Sequence, residues 1–132
     1  MLFRSLPSVD IVVLACPLTE ETEGLMGRRQ LGLLPPGAVL VNVARGQIVD
    51  EQALIDALQA GALGGACLDV FATEPLPADS PLWEMDNVIV SPHSASTVAT
   101  ENEALTDLFI DNLARFADNR LLRNRYEPAD GY

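Results

Sequence analysis

Val9-Asp10-Ile11-Val12-Val13-Leu14-Ala15 (VDIVVLA, residues 9–15) is the stretch that decides the fold. It is β-branched and apolar, without the polar alternation of a half-exposed strand, which is the pattern of a strand covered on both faces in a parallel sheet. Pro17 ends it. Outward from it, Thr19 to Leu34 is mixed, with a short helical pattern around Gly27 to Leu33, and Pro35-Pro36-Gly37 makes a turn. Ala38 to Val43 (AVLVNV) is a second buried strand. Asp50 then caps a helix over Glu51 to Ala60, whose Leu54, Ala57 and Leu58 recur at helical spacing before Gly61 closes the end. Gly64 to Val70 (GGACLDV) and Asn87 to Val90 (NVIV) are the third and fourth strands. Between them, Ala72 to Met85 is a loop whose Pro75, Pro77 and Pro81 lower the entropy lost on ordering. With Ser96 or Thr97 as N-cap, Leu105, Leu108, Phe109, Leu113 and Phe116 line one side of a long amphipathic helix ending near Asp118. Asn119 to Tyr132 reads as an irregular tail.

Strands alternating with helices give an α/β domain with a doubly wound parallel sheet and no internal repeat. The first strand is as apolar as an interior strand, yet no segment ahead of it offers a neighbour. A bare apolar edge invites aggregation, so the expectation is a fragment or an edge covered by a partner.

Composition narrows the function classes. The 132 residues carry 19 acidic against 8 basic side chains, a formal charge of -11. There is no Lys/Arg stripe to neutralise phosphates, which argues against nucleic acid and anionic membrane as partners. At 48% hydrophobic the chain has the makings of a packed core rather than a disordered tail. Cys16 and Cys67 sit in apolar strand-like runs, where a free thiol behaves as a small hydrophobe, so a reduced compartment is expected. Leu14-Ala15-Cys16 mimics a lipoprotein cleavage site, but Pro7 and Asp10 break the apolar core that a signal needs. A cytoplasmic location is the resulting expectation.

Ligands of open α/β sheets bind at the carboxyl ends of the strands. Three strand ends here carry charged or titratable groups: Arg45-Gly46 after the second, Asp69 and then Glu74 after the third, and Ser91-Pro92-His93 after the fourth. Arg45 can hold a carboxylate with two parallel charge-assisted hydrogen bonds, or stand as a solvated surface arginine. His93, the single histidine, sits on a stiff turn; taken alone, such a residue is more often structural than catalytic. Glu74 can pair with it and favour the imidazolium, which then gives a proton to a carbonyl oxygen, or it can be an ordinary loop glutamate. Asp69, in an otherwise apolar strand, must be paired or lie at the strand's open end, and a structural cap is one way to pair it. The sequence holds no zinc spacing, P-loop, Gly-x-Ser-x-Gly elbow or Gly-x-Gly-x-x-Gly fingerprint.

Five blocks, Cys16-Pro17-Leu18-Thr19, Val41-Asn42-Val43-Ala44-Arg45-Gly46, Leu68-Asp69-Val70-Phe71, Glu74-Pro75 and Ser91-Pro92-His93, resemble in order and spacing the D-isomer-specific 2-hydroxyacid dehydrogenases. The Ser91-Pro92-His93-Ser94-Ala95-Ser96 variant and the following helix are most similar to the glyoxylate/hydroxypyruvate reductase-like and phosphoglycerate dehydrogenase-like branches. The resemblance implies the C-terminal half of a Rossmann-like sheet, residues 1–118 being a partial NAD(P)-binding domain and 119–132 a tail that returns to the substrate domain in full-length relatives. It implies hydride transfer between NAD or NADP and a small 2-oxo or 2-hydroxy acid. Arg45 would clamp the substrate carboxylate, His93 would protonate the forming alkoxide, and Glu74 would orient His93. Asp69 would meet the nicotinamide side of the cofactor, with Pro17, Thr22, Val43, Ala44 and Ser96 as further cofactor-binding positions. The family's glycine-rich pyrophosphate turn and ribose-binding acid are absent from this sequence, which implies that the 132 residues alone are inactive. Self-association, in this family usually as a homodimer, is the expected assembly. The competing expectation is a non-enzymatic binding or assembly module that pairs through the exposed first strand.

Overall fold

A computed structural model describes residues 3–126. The chain divides into two compact units, Met1–Ala95 and Ser96–Tyr132. In the first, four parallel strands run in the order β1-β2-β3-β4: β1 Ile11–Leu14, β2 Val39–Asn42, β3 Gly65–Leu68 and β4 Val88–Val90. Helix α1 (Arg28–Leu31) lies between the first two in sequence and α2 (Glu51–Gln59) between the second and third. This is the α/β Rossmann-like arrangement that the apolar runs predict.

The register assigns the sheet's two faces. Leu14, Asn42, Leu68 and Val90 align across the strands, as do Val12, Leu40, Ala66 and Val88. Leu14, Leu40, Ala66 and Leu68 on this face join one buried cluster with Leu31 of α1 and Ala53, Leu54, Ile55 and Leu58 of α2. Arg28 and Asp56 form an ion pair that links the two helices. The opposite face carries Ile11, Val13 and Ile89, respectively 60%, 58% and 66% exposed. Among the described residues β1 therefore stands at the edge of the sheet with one face open, the bare apolar edge that the sequence leads one to expect of a partial sheet.

Asp50 caps α2 as predicted, its carboxylate accepting from the Ala53 amide at 3.0 Å. Gly61 leaves the helix at φ 67°, in the left-handed region that glycine enters without a Cβ penalty. Three short 3₁₀ turns escape the sequence reading: Leu6–Ser8, Gly46–Ile48 and Pro81–Glu84, the last inside the proline-rich loop.

In the second unit, α3 spans Glu101–Ala117. Its N-cap is Thr100, without a side-chain cap bond, rather than Ser96 or Thr97. A turn from Val98 to Glu101 comes first. Leu105, Phe109, Leu113 and Phe116 are exposed, and the helix has no buried residue, so the predicted apolar stripe exists without a covering surface. Asp111 accepts from both Arg115 and Arg123, and the Asn112 side chain pairs with the Arg123 backbone, which folds the start of the tail back along α3. The remainder of the predicted tail, residues 127–132, lies outside the described residues. No helix among the described residues is long and apolar enough to cross a membrane, and no cluster of metal-ligating side chains occurs among them.

Candidate active site

β2 runs out at Asn42, which is buried and spends its whole amide on the following loop. Its Oδ1 accepts from the Ala44 amide and its Nδ2 donates to the Arg45 carbonyl, both at 3.0 Å. The loop is thereby bent so that Ala44 is buried while Val43 and Arg45 face outward. Gly46 permits the next step: a Cβ built there would lie 1.9 Å from the Phe71 carbonyl carbon, so only glycine lets this loop touch the segment leaving β3. The β3 exit is fixed in turn by two carboxylates. Glu74 Oε1 accepts from the Phe71 amide at 3.0 Å, and Glu51 Oε2, reaching from α2, accepts from the Ala72 amide at 2.9 Å.

The other oxygen of Glu74 meets His93. Oε2 lies 2.7 Å from His93 Nδ1, with both side chains partly exposed. Glu74 is held below its ordinary value of 4.5 first by the hydrogen bond with His93, then by the Phe71 amide, against an opposing cost of burial. The positive charges of His93 and Arg45 add to the effect, so the arginine's field reaches the same carboxylate. An ionised Glu74 selects the His93 form with a proton on Nδ1 and leaves Nε2 to face a ligand.

Asp69 is the anchor of the His93 turn. It is 5% exposed at the end of β3. Oδ1 accepts from Ser91 Oγ at 2.6 Å and from the Ser94 amide at 2.8 Å, while Oδ2 accepts from the Ala95 amide at 2.8 Å. Burial pushes its acidity the other way, but these three bonds and the charge of His93 outweigh it and hold Asp69 below its ordinary 3.8. His93, inside the span so clamped, has φ 53°. A non-glycine residue in this region costs on the order of 1–3 kcal/mol and persists where its surroundings over-determine it. Here the surroundings are Asp69 on the backbone and Glu74 on the ring.

Glu74 and His93 thus meet past the ends of β3 and β4, while Arg45, past the end of β2, donates from Nη1 to the Ala44 carbonyl at 2.6 Å and reaches Glu74 through its charge. Pro17 and Thr22 are also brought together: Thr22 Oγ1 donates to the Pro17 carbonyl and accepts from the Thr19 amide, both at 2.7 Å, closing a turn beyond β1. Val43 is exposed and Ala44 buried beside the β2 end. Ser96 is exposed and opens the second unit. Asn42, Glu51, Ser91 and Ser94 were not singled out by the sequence reading, although an amide ending an apolar strand and serines flanking the lone histidine are signals of loop-fixing groups.

The family model for the D-isomer specific 2-hydroxyacid dehydrogenase NAD binding domain matches residues 2–95. The chain belongs to this dehydrogenase family. It is 41% identical over 119 residues to glyoxylate/hydroxypyruvate reductase B of Pectobacterium carotovorum, covering 90% of this chain and 37% of that protein. Glyoxylate reductase of Korarchaeum cryptofilum is 42% identical over 113 residues, 86% of this chain and 34% of its own length. Among solved structures, a D-isomer specific 2-hydroxyacid dehydrogenase from Xanthobacter autotrophicus Py2 in complex with NADPH and MES superposes with a TM-score of 0.88 at 46% identity, covering 96% of this chain and 52% of that one. The NADPH-dependent glyoxylate/hydroxypyruvate reductase of Sinorhizobium meliloti, in complex with NADP and sulfate, also gives 0.88, at 33% identity over 96% of this chain and 41% of that one. The chain spans about two-fifths of the length of the curated relatives it matches.

The site fits the nicotinamide end of such a cofactor. Asp69 has three acceptor positions filled, of roughly four that a carboxylate offers. Val43, exposed, and the Pro17–Thr22 turn lie past strand ends, where this fold class receives dinucleotides.

Proposed function

We propose that the chain carries the proton-donating and carboxylate-binding part of an NAD- or NADP-dependent reduction of a small 2-oxo acid to the 2-hydroxy acid. The observation that carries this reading is the 2.7 Å bond between His93 Nδ1 and Glu74 Oε2, set at three adjoining strand ends beside Arg45. When bound, the nicotinamide supplies a hydride to C2 of the acid. Arg45 binds the carboxylate through its planar fork and fixes which face of C2 is presented. As negative charge gathers on the carbonyl oxygen, His93 gives it the proton from Nε2, and Glu74 balances the imidazolium until then. Asp69 holds the turn on which His93 acts and would face the nicotinamide side of the cofactor. Pro17, Thr22, Val43, Ala44 and Ser96 would contact the rest of the cofactor.

The sequence lacks the Gly-x-Gly-x-x-Gly turn that receives a pyrophosphate, so the 132 residues alone are expected to show no turnover above the uncatalysed rate. The open face and edge of β1 support self-association, which size exclusion measures, and the free cysteines Cys16 and Cys67 suit the cytoplasm. The test of the site is titration with oxamate, an inert analogue of glyoxylate, followed by the ring signals of the single histidine. Saturable movement of the His93 signals, abolished in Arg45→Ala, is the expected result; movement that survives Arg45→Ala removes the arginine from the site.

A further inference from the structure

Two consecutive amides leave β3, and two carboxylates take one each. The Phe71 amide donates to Glu74 Oε1 at 3.0 Å, and the Ala72 amide donates to Glu51 Oε2 at 2.9 Å. The first bond is local, while the second spans 21 residues of sequence and comes from the opening turn of α2. The peptide that joins Phe71 to Ala72 is also pressed against Gly46, where a Cβ would stand 1.9 Å from the Phe71 carbonyl carbon and 2.4 Å from the Ala72 nitrogen. Gly46 leaves this peptide no room to turn on one side, and Glu51 fixes the direction of its N–H.

Capping of α2 does not account for Glu51, because Asp50 already fills that role through the Ala53 amide. An acid in the first helical turn gains from the helix dipole whichever way its side chain points, yet Glu51 spends an oxygen on a segment outside its own helix. Successive N–H groups in a bent segment attract one anionic group between them. With Glu51 gone, Glu74 is the carboxylate bound next door, and it has acceptor positions to take the Ala72 amide as well. Turning toward both amides draws its Oε2 away from His93 Nδ1, now 2.7 Å distant. The other charge acting on Glu74, Arg45 beyond β2, does not hold the carboxylate by a hydrogen bond of its own, since its Nη1 donates to the Ala44 carbonyl. Resting on the reading of His93 as proton donor and Glu74 as its partner, we propose that Glu51 is a positioning residue of this site: by occupying the Ala72 amide it confines Glu74 to the Phe71 amide and keeps Oε2 for His93.

The test follows the coupling between the two partners in the whole chain. The His93 ring signals, those of the single histidine, and the Glu74 carboxyl signal are recorded as pH is lowered, for the unmodified protein, Glu51→Ala and Glu51→Gln, with Trp83 emission checking that each stays folded. In the unmodified protein the ring signals are expected to show a step at the pH where Glu74 takes its proton, because that event removes the charge of the ring's partner. Glu51→Ala is expected to lose this step. Glu51→Gln is expected to keep it, since the amide oxygen still accepts from Ala72. A step that survives in Glu51→Ala overturns the proposal and leaves Glu51 a helix-stabilising acid, with the 2-oxo acid reading intact. A step lost in Glu51→Gln as in Glu51→Ala also overturns it, because the charge of Glu51 then acts rather than its bond. No step in the unmodified protein defeats both the proposal and the pairing on which the reaction rests, whereas a step without any response of His93 to oxamate defeats the 2-oxo acid reading alone.

Discussion

Replacing Asp69 by Asn keeps shape and volume and changes one oxygen into a donor. The Asp69 carboxylate accepts three bonds at 2.6–2.8 Å, from Ser91 Oγ and the amides of Ser94 and Ala95. Whichever way the new amide turns, its NH₂ group faces at least one backbone N–H, so at least one charge-assisted bond is lost, which is worth about 1.5–3 kcal/mol. The bonds that survive weaken, because neutral acceptors bind about half as strongly as ionised ones. The total is a destabilisation of about 2–4 kcal/mol for the first unit. Urea unfolding followed by Trp83 emission reports on this unit, since Trp83 lies within it. With a urea dependence of about 2 kcal/mol per molar, the middle of the usual range, the midpoint should fall by roughly 1–2 M. A loss below about 0.5 kcal/mol would refute the assignment of Asp69 as anchor of the His93 turn and leave it a cofactor contact only. The pH dependence follows with the same sign. Asp69 and Glu74 both titrate below their ordinary 3.8 and 4.5, so their stabilisation is complete above those values and is lost as pH falls through the lower folded-state ones. Asp69→Asn should therefore flatten the acid limb of a stability–pH curve.

Three further changes probe neighbouring parts of the account. Gly46→Ala forces a Cβ into the Phe71 carbonyl and should cost at least about 2 kcal/mol in thermal or urea unfolding, with weakened oxamate binding because Arg45 is displaced from Glu74. His93→Gln removes the main cause of the lowered Glu74 pKa, so carboxyl NMR should show Glu74 titrating at higher pH, nearer 4.5; an unmoved titration would mean that the Phe71 amide alone sets it. Asp50→Ala should cost about 1 kcal/mol through the lost cap on α2 and leave oxamate binding unchanged.

Much of this molecule is legible from its sequence, for identifiable reasons. The four strands are apolar runs bounded by proline, glycine or charge, and α2 carries its own start and stop in Asp50 and Gly61, all local signals. The start of α3 is not legible in this way. Ser96, Thr97 and Thr100 are all chemically able to cap, and the apolar spacing begins only at Leu105, so nothing local decides among them. Glu74 and His93 are legible because neighbouring strand ends bring them together. The groups that hold them are not, since Asp69 reaches Ser94 and Glu51 reaches Ala72 across more than twenty residues, contacts that exist only once the sheet has formed.

The central claim is that these strand ends supply the acid and the carboxylate clamp of a 2-oxo acid reduction. It is tested most directly by grafting this chain in place of the matched 119-residue segment of the Pectobacterium carotovorum reductase and measuring NAD(P)H oxidation with glyoxylate and with longer 2-oxo acids. The account predicts turnover that falls by about 10²–10⁴ in kcat for His93→Ala, the usual worth of a positioned acid, and a raised KM for Arg45→Ala. A folded chimera that binds NADPH but shows no 2-oxo acid reduction, or one whose rate is indifferent to His93, would contradict it.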